Sequence, residues 1–177
     1  MRGLVSVARA LRVGPGFAPN SEMGPLISHS QRERVAGYVA SGVAAGAKIA
    51  TGGRLIDAPG YFFEPTMLID TDHSMRVVRE EIFGPVLCVM PFDDGEEAVR
   101  LANDTIYGLG GSVWTSDAAR AHAFAARIRA GIVWINCHGV PDPAVPFGGY
   151  RQSGWGRQNG WEGVEQYTEL KSVLAKL

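Results

Sequence analysis

Segments with the helical period alternate with segments with the strand period, and this alternation restricts the fold more than any other feature of the sequence. The predicted helices and strands follow one another over residues 4–11, 28–46, 48–51, 61–69, 85–92, 96–103, 112–115, 117–131 and 132–136. Strands separated by helices are typical of α/β folds, in which helices flank an open, twisted and mostly parallel sheet. We therefore expect an α/β architecture of that kind.

Three of the predicted strands also indicate their place in a sheet. Residues 85–92 form a nearly unbroken apolar run, which is typical of a parallel strand buried on both faces. Residues 61–69 contain Pro65, which has no N–H to donate, so they are predicted to form an edge strand or an interrupted one. Residues 167–177 alternate loosely between apolar and polar, and we expect them to form a terminal strand that adds to another sheet.

The second predicted helix begins with a capping signal. Ser28 is followed three residues later by Gln31. In this pattern the first side chain accepts a hydrogen bond from the backbone of the second residue, and the second side chain reaches back to the backbone of the first. We therefore expect Ser28 and Gln31 to form a capping box.

Composition and charge exclude several classes of partner. The chain has 177 residues, of which 46% are hydrophobic and 20% charged, as in a globular protein with a sizeable core. Its net charge is −1 and it has no basic block, so we predict no binding to nucleic acid or to a membrane. Arginines interrupt the N-terminal segment, which therefore does not resemble a signal peptide. Two cysteines are too few for a disulfide framework, and we predict a reducing, cytoplasmic location.

The turn at residues 80–85 combines acidic and aromatic residues in the sequence EEIFGP. A carboxylate accepts two hydrogen bonds well, so it suits the neighbouring hydroxyls of a ribose. An aromatic ring two residues away is suited to pack against a flat heterocycle. The alternative is a solvated acidic turn with a phenylalanine in the core, and chemistry alone favours this alternative.

Six segments of the chain, taken in order, resemble the C-terminal stretch of the aldehyde dehydrogenase superfamily. They begin at residues 23, 60, 80, 107, 131 and 146 and read MGPLIS, GYFFEPT, EEIFGPV, YGLGGSVWT, GIVWIN and PFGGYRQSG. The resemblance extends from about Leu4 to Val173. One such motif is a weak signal, but six in order at plausible spacing are a specific one.

The resemblance implies roles for four residues. In enzymes of this family the second glutamate of EEIFGP binds the hydroxyls of the nicotinamide ribose, and that position is Glu81. The phenylalanine of the same motif, here Phe83, lies against the nicotinamide end of the NAD or NADP cofactor. The phenylalanine of PFGG, here Phe147, lines the aldehyde pocket. The preceding loop, Cys137–Val145, helps to shape that pocket and brings His138 to it.

The resemblance also implies a domain organisation and an assembly. Residues 1–160 correspond to the C-terminal portion of the family's catalytic domain, and residues 161–177 correspond to its oligomerisation segment. In the dimers and tetramers of the family, the terminal strand pairs with another subunit. We therefore expect a homo-oligomer.

The cysteines and histidines have simpler explanations than catalysis. Cys137 and His138 are adjacent, and neighbours in an extended chain point to opposite sides, so pocket lining or packing is favoured over a catalytic dyad. Cys88 lies within an apolar strand and is predicted to be a small core residue. The four histidines show no ligand spacing, and we predict no metal.

The chemistry of the family requires groups that this segment does not match. A thiolate attacks the aldehyde, a carboxylate acts as base, and an oxyanion site assists. In the family all three precede the segment matched here, so we assign no catalytic residue. We expect a C-terminal fragment of an NAD(P)-dependent aldehyde dehydrogenase that is inactive alone. The alternative is a non-catalytic truncated remnant that only folds and self-associates.

The aldehyde itself is left open by the sequence. Residues 133–149 and 154–157 look similar to members that act on betaine aldehyde and on aromatic aldehydes. However, Gly139-Val140-Pro141 stands where relatives often carry a bulky aromatic residue. This departure puts any substrate transferred from the family in doubt.

Overall fold

The computed structural model describes residues 1–176, and contacts divide the chain into two compact units. The first unit is Met1–Pro91, and the second begins at Phe92. Each unit combines helices with a small sheet of its own. The predicted α/β class is confirmed, although the first sheet is mixed rather than uniformly parallel.

The first unit is built around a three-stranded sheet. Its elements are α1 (Arg2–Ala10), α2 (His29–Ala44), β1 (Lys48–Thr51), β2 (Thr66–Ile69), α3 (Arg76–Arg79) and β3 (Val86–Cys88). Strand β2 lies in the middle, antiparallel to β1 and parallel to β3. In this register Leu68 lies opposite Ile49 on one side and Cys88 on the other.

The core of the first unit lies where α2 meets the sheet and α3. Val35, Phe63 and Leu68 are almost completely buried there. An added Cβ at Gly42 of α2 would lie only 3.2 Å from a methyl group of Leu68 and 3.0 Å from one of Val77. This close packing fixes α2 relative to the turn that follows α3, which is the turn singled out in the sequence.

The second unit alternates short helices and strands. Its elements are α4 (Gly95–Asn103), β4 (Gly110–Val113), α5 (Ala118–Ala125), β5 (Ile132–Ile135), a 3₁₀ turn (Arg151–Ser153) and α6 (Gly160–Glu165). The carboxylates of Asp94 and Asp117 accept hydrogen bonds from the first turns of α4 and α5, as expected of N-cap residues. No helix within residues 1–176 is both long and apolar enough to cross a lipid bilayer.

The sheet of the second unit has an open edge along β5. Strands β4 and β5 pair in parallel, with Gly110 opposite Ile132 and Val113 opposite Ile135. Parallel sheets are normally covered on both faces and belong to larger assemblies of strands. Here every residue of β5 is only partly buried, and within residues 1–176 no strand pairs with its second edge.

Two strand predictions in the first unit need correction. The apolar run over residues 85–92 forms a strand only at β3, and two-sided burial was wrong because Leu87 is 48% exposed. The physical reason is that β3 lies at the edge of the described sheet, where β2 is its neighbour. Within residues 61–69 only β2 is a strand, which agrees with the interruption expected at Pro65. The alternative of an edge strand was wrong, because β2 lies between β1 and β3.

The predicted terminal strand does not form within the described part of residues 167–177. Residues 167–176 contain neither helix nor strand, and Leu177 lies outside the described residues. Tyr167, Leu170 and Leu174 are each more than 90% exposed. A strand requires a partner that accepts and donates its backbone hydrogen bonds. The alternating pattern alone therefore did not determine the structure of this segment.

Candidate functional site

The acidic turn follows α3, and its first carboxylate is anchored to the fold. Tyr38 Oη donates a hydrogen bond to Glu80 Oε2 at 2.7 Å, and Arg76 Nε donates to the same oxygen at 3.0 Å. The bond from Tyr38 and the bond from Arg76 hold the pKa of Glu80 below its usual value. Glu80 therefore acts as an anchor, and its carboxylate is already engaged.

The next predicted site residues, Glu81 and Phe83, are exposed. Within residues 1–176 the Glu81 carboxylate has no hydrogen bond or ion pair, and its residue is exposed. The Phe83 side chain is 71% exposed, so it is not a core residue. Its φ of +51° lies in the left-handed region, which bulky residues rarely adopt. The turn therefore presents a free carboxylate and an aromatic ring, the two groups that the sequence pairs with a ribose and a heterocycle.

Side chains of α2 hold the backbone of this turn. Gln31 Nε2 donates to the carbonyl oxygens of Ile82 and Phe83, each at 2.9 Å. Arg34 Nη2 donates to the carbonyl oxygen of Glu81 at 3.0 Å. Three successive carbonyl groups of the turn are thus bound by one face of a single helix.

Gln31 corrects the predicted capping box. Ser28 Oγ accepts a hydrogen bond from the Gln31 backbone N–H at 3.1 Å, as expected. The Gln31 side chain, however, points to the turn and not back to Ser28, so the second half of the box was wrong. Local sequence shows which side chains reach a helix start, but it does not show a segment some fifty residues away that offers two better acceptors.

In the second unit, the loop after β5 folds back over the strand. The Asn136 side chain exchanges two hydrogen bonds with the backbone of Thr115, both at 2.9 Å. Trp134 Nε1 donates to the carbonyl oxygen of Val140 at 3.1 Å. The folded loop bounds a cavity of about 590 Å³ whose wall includes Trp134, Cys137, Val140, Asp142, Val145 and Phe147.

The two predicted substrate residues lie near this cavity but relate to it differently. Phe147 is part of its wall. The His138 ring packs against Trp134 instead, with ring centroids 5.1 Å apart and planes at 60°. His138 therefore supports a wall residue and does not itself line the described cavity. That either residue binds an aldehyde remains a prediction.

The segment that carries Phe147 is fixed by residues further along the loop. Phe147 and Gln158 exchange two backbone hydrogen bonds, both at 2.7 Å. Arg157 Nη1 donates to the Gly149 carbonyl at 2.9 Å, and its guanidinium lies 5.4 Å from the centre of the Tyr150 ring. These contacts restrict where the Phe147 ring can lie.

The described residues contain no obvious nucleophile or metal centre. Cys88 Sγ donates to the Val77 carbonyl at 3.5 Å, and burial raises the pKa of the Cys88 thiol, which keeps it protonated. Cys137 is partly buried, and its neighbour His138 is turned toward Trp134. Within residues 1–176, no group of three or more His, Cys, Asp or Glu side chains is placed to hold a metal ion.

A larger cavity in the second unit contains none of the predicted site residues. It has a volume of about 720 Å³ and lies among α4, α5 and β4. Its wall is mostly apolar and includes Phe92, Trp114 and Phe124. Phe92 is 60% and Trp114 is 66% exposed. Apolar surface of this kind is typical of a face that packs against other polypeptide.

Comparison with known families decides the identity of the chain. The profile of the aldehyde dehydrogenase family matches residues 1–173. This chain belongs to the aldehyde dehydrogenase family. The family match covers the turn at Glu81 and the loop at Phe147, so both predicted sites lie within aldehyde dehydrogenase sequence.

Individual relatives are similar over nearly all of this aldehyde dehydrogenase chain. The betaine aldehyde dehydrogenase of Bacillus subtilis (strain 168) is 47% identical over 174 residues, which cover 96% of this chain and 36% of that protein. A mitochondrial aldehyde dehydrogenase of Leishmania tarentolae is 47% identical over 166 residues, which cover 94% of this chain and 33% of that protein. The chain therefore spans about one third of the length of these relatives.

Solved structures of aldehyde dehydrogenases have the same fold. Betaine aldehyde dehydrogenase from Staphylococcus aureus, in complex with NAD⁺, matches with a TM-score of 0.90 and 39% identity, over 99% of this chain and 38% of that one. The NAD⁺ complex of a Bacillus cereus aldehyde dehydrogenase matches with a TM-score of 0.94 and 45% identity, over 97% of this chain and 35% of that one. The predicted resemblance to the family, and to its betaine-aldehyde members, is confirmed.

Proposed function

We propose that this chain supplies the C-terminal third of an NAD(P)-dependent aldehyde dehydrogenase, and that oxidation of an aldehyde to a carboxylate requires the rest of the relatives' length. The observation that carries the proposal is the turn that presents a free Glu81 carboxylate and an exposed Phe83 ring. The missing portion can belong to the same polypeptide or to another one. Residues 1–176 by themselves are proposed to be inactive, since no described thiol is placed beside a base.

The turn has the groups needed to bind the nicotinamide end of the coenzyme. Glu81 would accept hydrogen bonds from the ribose hydroxyls, and Phe83 would pack against the flat ring. The coenzyme, when bound, supplies the hydride acceptor for aldehyde oxidation. NAD and NADP both fit this end, and the NAD⁺ complexes of the two solved relatives favour NAD. The proposal includes no metal.

The aldehyde is proposed to enter the second unit near Phe147. Relatives named betaine aldehyde dehydrogenase favour an aldehyde with a quaternary ammonium group. Such cations bind over aromatic faces, and both Trp134 and Phe147 belong to the wall of the 590 Å³ cavity. His138 would contribute by fixing the Trp134 ring. We propose a cytoplasmic setting, with neither nucleic acid nor a membrane as partner.

Complementation tests the proposed function. The chain is expressed with the upstream two thirds of the Bacillus subtilis relative, and reduction of NAD by betaine aldehyde is followed through the absorbance of the reduced nicotinamide. We expect activity from the pair and none from either part alone, because the reacting groups and the coenzyme turn are then united. A well-folded pair that fails with betaine aldehyde and with aromatic and aliphatic aldehydes would contradict the proposal. Turnover by the purified chain alone would contradict its inactivity.

A substitution at Glu81 refines this test. Glu81→Gln keeps the size of the side chain but removes the charge that strengthens hydrogen bonds to hydroxyl groups, a loss of about 1–3 kcal/mol. In the complemented enzyme we expect a KM for NAD raised roughly tenfold, in keeping with that loss. Glu33→Gln is the matched control, because this exposed carboxylate on α2 faces His29 and Arg32 and not the turn. Equal kinetics for both variants would mean that Glu81 does not bind the coenzyme.

We also propose that the purified chain self-associates. The tail from residue 161 is the proposed oligomerisation segment, and its side chains at Tyr167, Leu170 and Leu174 are almost fully exposed. Exposed apolar area costs about 25 cal/mol per Å² relative to burial. The edge of β5 that no strand within residues 1–176 pairs with adds a second site of association. A two-fold dimer is the commonest closed assembly. Sedimentation velocity at micromolar concentration checks this, and a single species of the monomer's 19.0 kDa would refute it.

Self-association also matters to the alternative function. A non-catalytic remnant that only folds and self-associates is favoured by the same exposed tail. It differs from the main proposal in the complementation assay, where a remnant would give an oligomer without activity. Removing residues 167–177 should weaken association in either case, because the most exposed apolar side chains of the tail are lost. Unchanged association of the truncated chain would mean that the interface lies elsewhere.

A further inference from the structure

We propose that Gln31 is a positioning residue for the coenzyme-binding turn, a role that rests on the function proposed above. Its side-chain amide donates to the carbonyl groups of both Ile82 and Phe83 at 2.9 Å. A glutamine amide has two N–H donors, and both are used here. Since both partners are carbonyl oxygens, the nitrogen of the amide must face them and the oxygen must face away. Gln31 thereby sets the backbone from which the Glu81 and Phe83 side chains project.

The turn requires such support because its backbone is strained. Phe83 adopts a φ of +51°, a region that L-residues with large side chains rarely occupy. In this conformation the carbonyl groups of Ile82 and Phe83 both lie within reach of one amide nitrogen. The two bonds offset part of the cost of the left-handed residue. Without them the turn would gain access to more common conformations, in which the Phe83 ring lies elsewhere.

Neighbouring contacts show that α2 is the template for the whole turn. Arg34 lies three residues after Gln31 and Tyr38 seven residues after it, so all three side chains share one face of the helix. Arg34 binds the carbonyl group of Glu81, and Tyr38 binds the carboxylate of Glu80. The turn is therefore fixed to one helix face by its side chain at residue 80 and its carbonyl groups at residues 81–83.

The contact distances also require a small residue directly after Phe83. An added Cβ at Gly84 would lie 2.4 Å from a methyl group of Val35 on α2, and Val35 is completely buried. Any larger residue would push the turn away from the helix and out of reach of Gln31. Glycine at this position therefore allows the close approach on which the two hydrogen bonds depend.

The side chain of Gln31 can be replaced without disturbing the helix start. The cap of α2 uses the backbone N–H of Gln31, which donates to Ser28 Oγ, and every residue other than proline has that donor. Loss of the side-chain amide should therefore release the turn and leave α2 in place. This separation makes a positioning role distinguishable from a general structural one.

Hydrogen exchange followed by mass spectrometry tests the positioning role on the chain itself. Gln31→Met keeps the length and removes both donors, and Gln31→Glu keeps the shape but faces two carbonyl oxygens with a carboxylate. We expect exchange in residues 80–86 to accelerate on the order of tenfold in both variants, with peptides of α2 and β2 unchanged. The control is Gly37→Ala, an exposed position of α2 with no atom within 4 Å of the added Cβ. Unchanged exchange at residues 80–86, or equal acceleration throughout the first unit, would overturn the proposal.

Kinetics of the complemented enzyme test whether this positioning serves the coenzyme. A binding group misplaced by about an ångström can lower catalytic efficiency by up to roughly 100-fold. We therefore expect Gln31→Met to raise the KM for NAD on the order of tenfold. The KM for the aldehyde should change by less than about twofold. Equal changes in both constants, or none, would overturn the role. If the wild-type pair is inactive, the function proposed above fails, whereas the exchange result decides by itself whether Gln31 holds the turn.

Discussion

Leu68→Ala is expected to lower the free energy of unfolding of the first unit by about 2–5 kcal/mol. Leu68 is completely buried on the central strand β2, where it meets α2 near Gly42. Removing its terminal carbon atoms forfeits their transfer free energy and leaves a cavity. The cavity cannot close easily, because the backbone of α2 at Gly42 already lies close to both Leu68 and Val77.

Chemical denaturation followed by far-UV circular dichroism measures this loss. Leu87→Ala on the neighbouring strand β3 is the matched control, since it removes the same atoms from a side chain that is 48% exposed. The control should lose less than about half as much stability, in proportion to the apolar area it had buried. Equal losses for both variants would mean that β2 is not the centre of the core.

Among glycine-to-alanine substitutions in the second unit, Gly131→Ala is expected to lower the free energy of unfolding the most. An added Cβ would lie 1.6 Å from the carbonyl oxygen of Gly148, and the Gly131 backbone N–H is bound to the Gly108 carbonyl at 3.0 Å. Two backbone segments would have to separate, whereas ordinary overpacking moves only side chains. We expect a loss of about 3 kcal/mol or more, at or beyond the usual range for overpacking. The segment that carries Phe147 would be displaced at the same time.

Tryptophan fluorescence during denaturation reports this effect selectively, because all four tryptophans follow Phe92 in the sequence. The control is Gly111→Ala on β4, where the added Cβ would meet a single methyl group of Ile128 at 3.3 Å. That methyl group can shift by a few tenths of an ångström, so the control should lose less than about 1 kcal/mol. An unchanged unfolding midpoint for Gly131→Ala would contradict the prediction, because the segment at Gly148 would then move away at little cost in free energy.

The sequence predicted the α/β class and most helices because these depend on local patterns. Ser28 was recognised as the cap of α2 from residues within one helical turn. Strand limits were less accurate, because a strand extends only as far as its neighbour pairs with it. The apolar run over residues 85–92 continues past β3, although its ladder with β2 ends at Cys88.

The candidate site shows the same division between local and distant information. The acidic residues of the EEIFGP motif predicted a solvated turn, and Glu81 is exposed. The pattern alone favoured a core position for Phe83, which was wrong because the side chain is 71% exposed, and only the resemblance to the family assigned Phe83 to the turn's ligand side. The sequence did not indicate that Gln31 would bind this turn, because its partners are distant along the chain. Nor did it indicate that His138 would turn toward Trp134, since alternation along an extended segment does not apply where the loop folds back.

The left-handed conformation of Phe83 has a consequence for the history of this chain. Glycine adopts such a φ without steric cost and asparagine tolerates it, so Phe83 gives up stability of about 1 kcal/mol that either residue would recover. Selection for thermal resistance alone would replace Phe83, whereas selection for an aromatic surface at that point would retain it. In populations that carry this gene, retention of phenylalanine at position 83 would indicate selection for ligand binding by the turn. Frequent replacement by glycine or asparagine would indicate that the turn is selected only for stability.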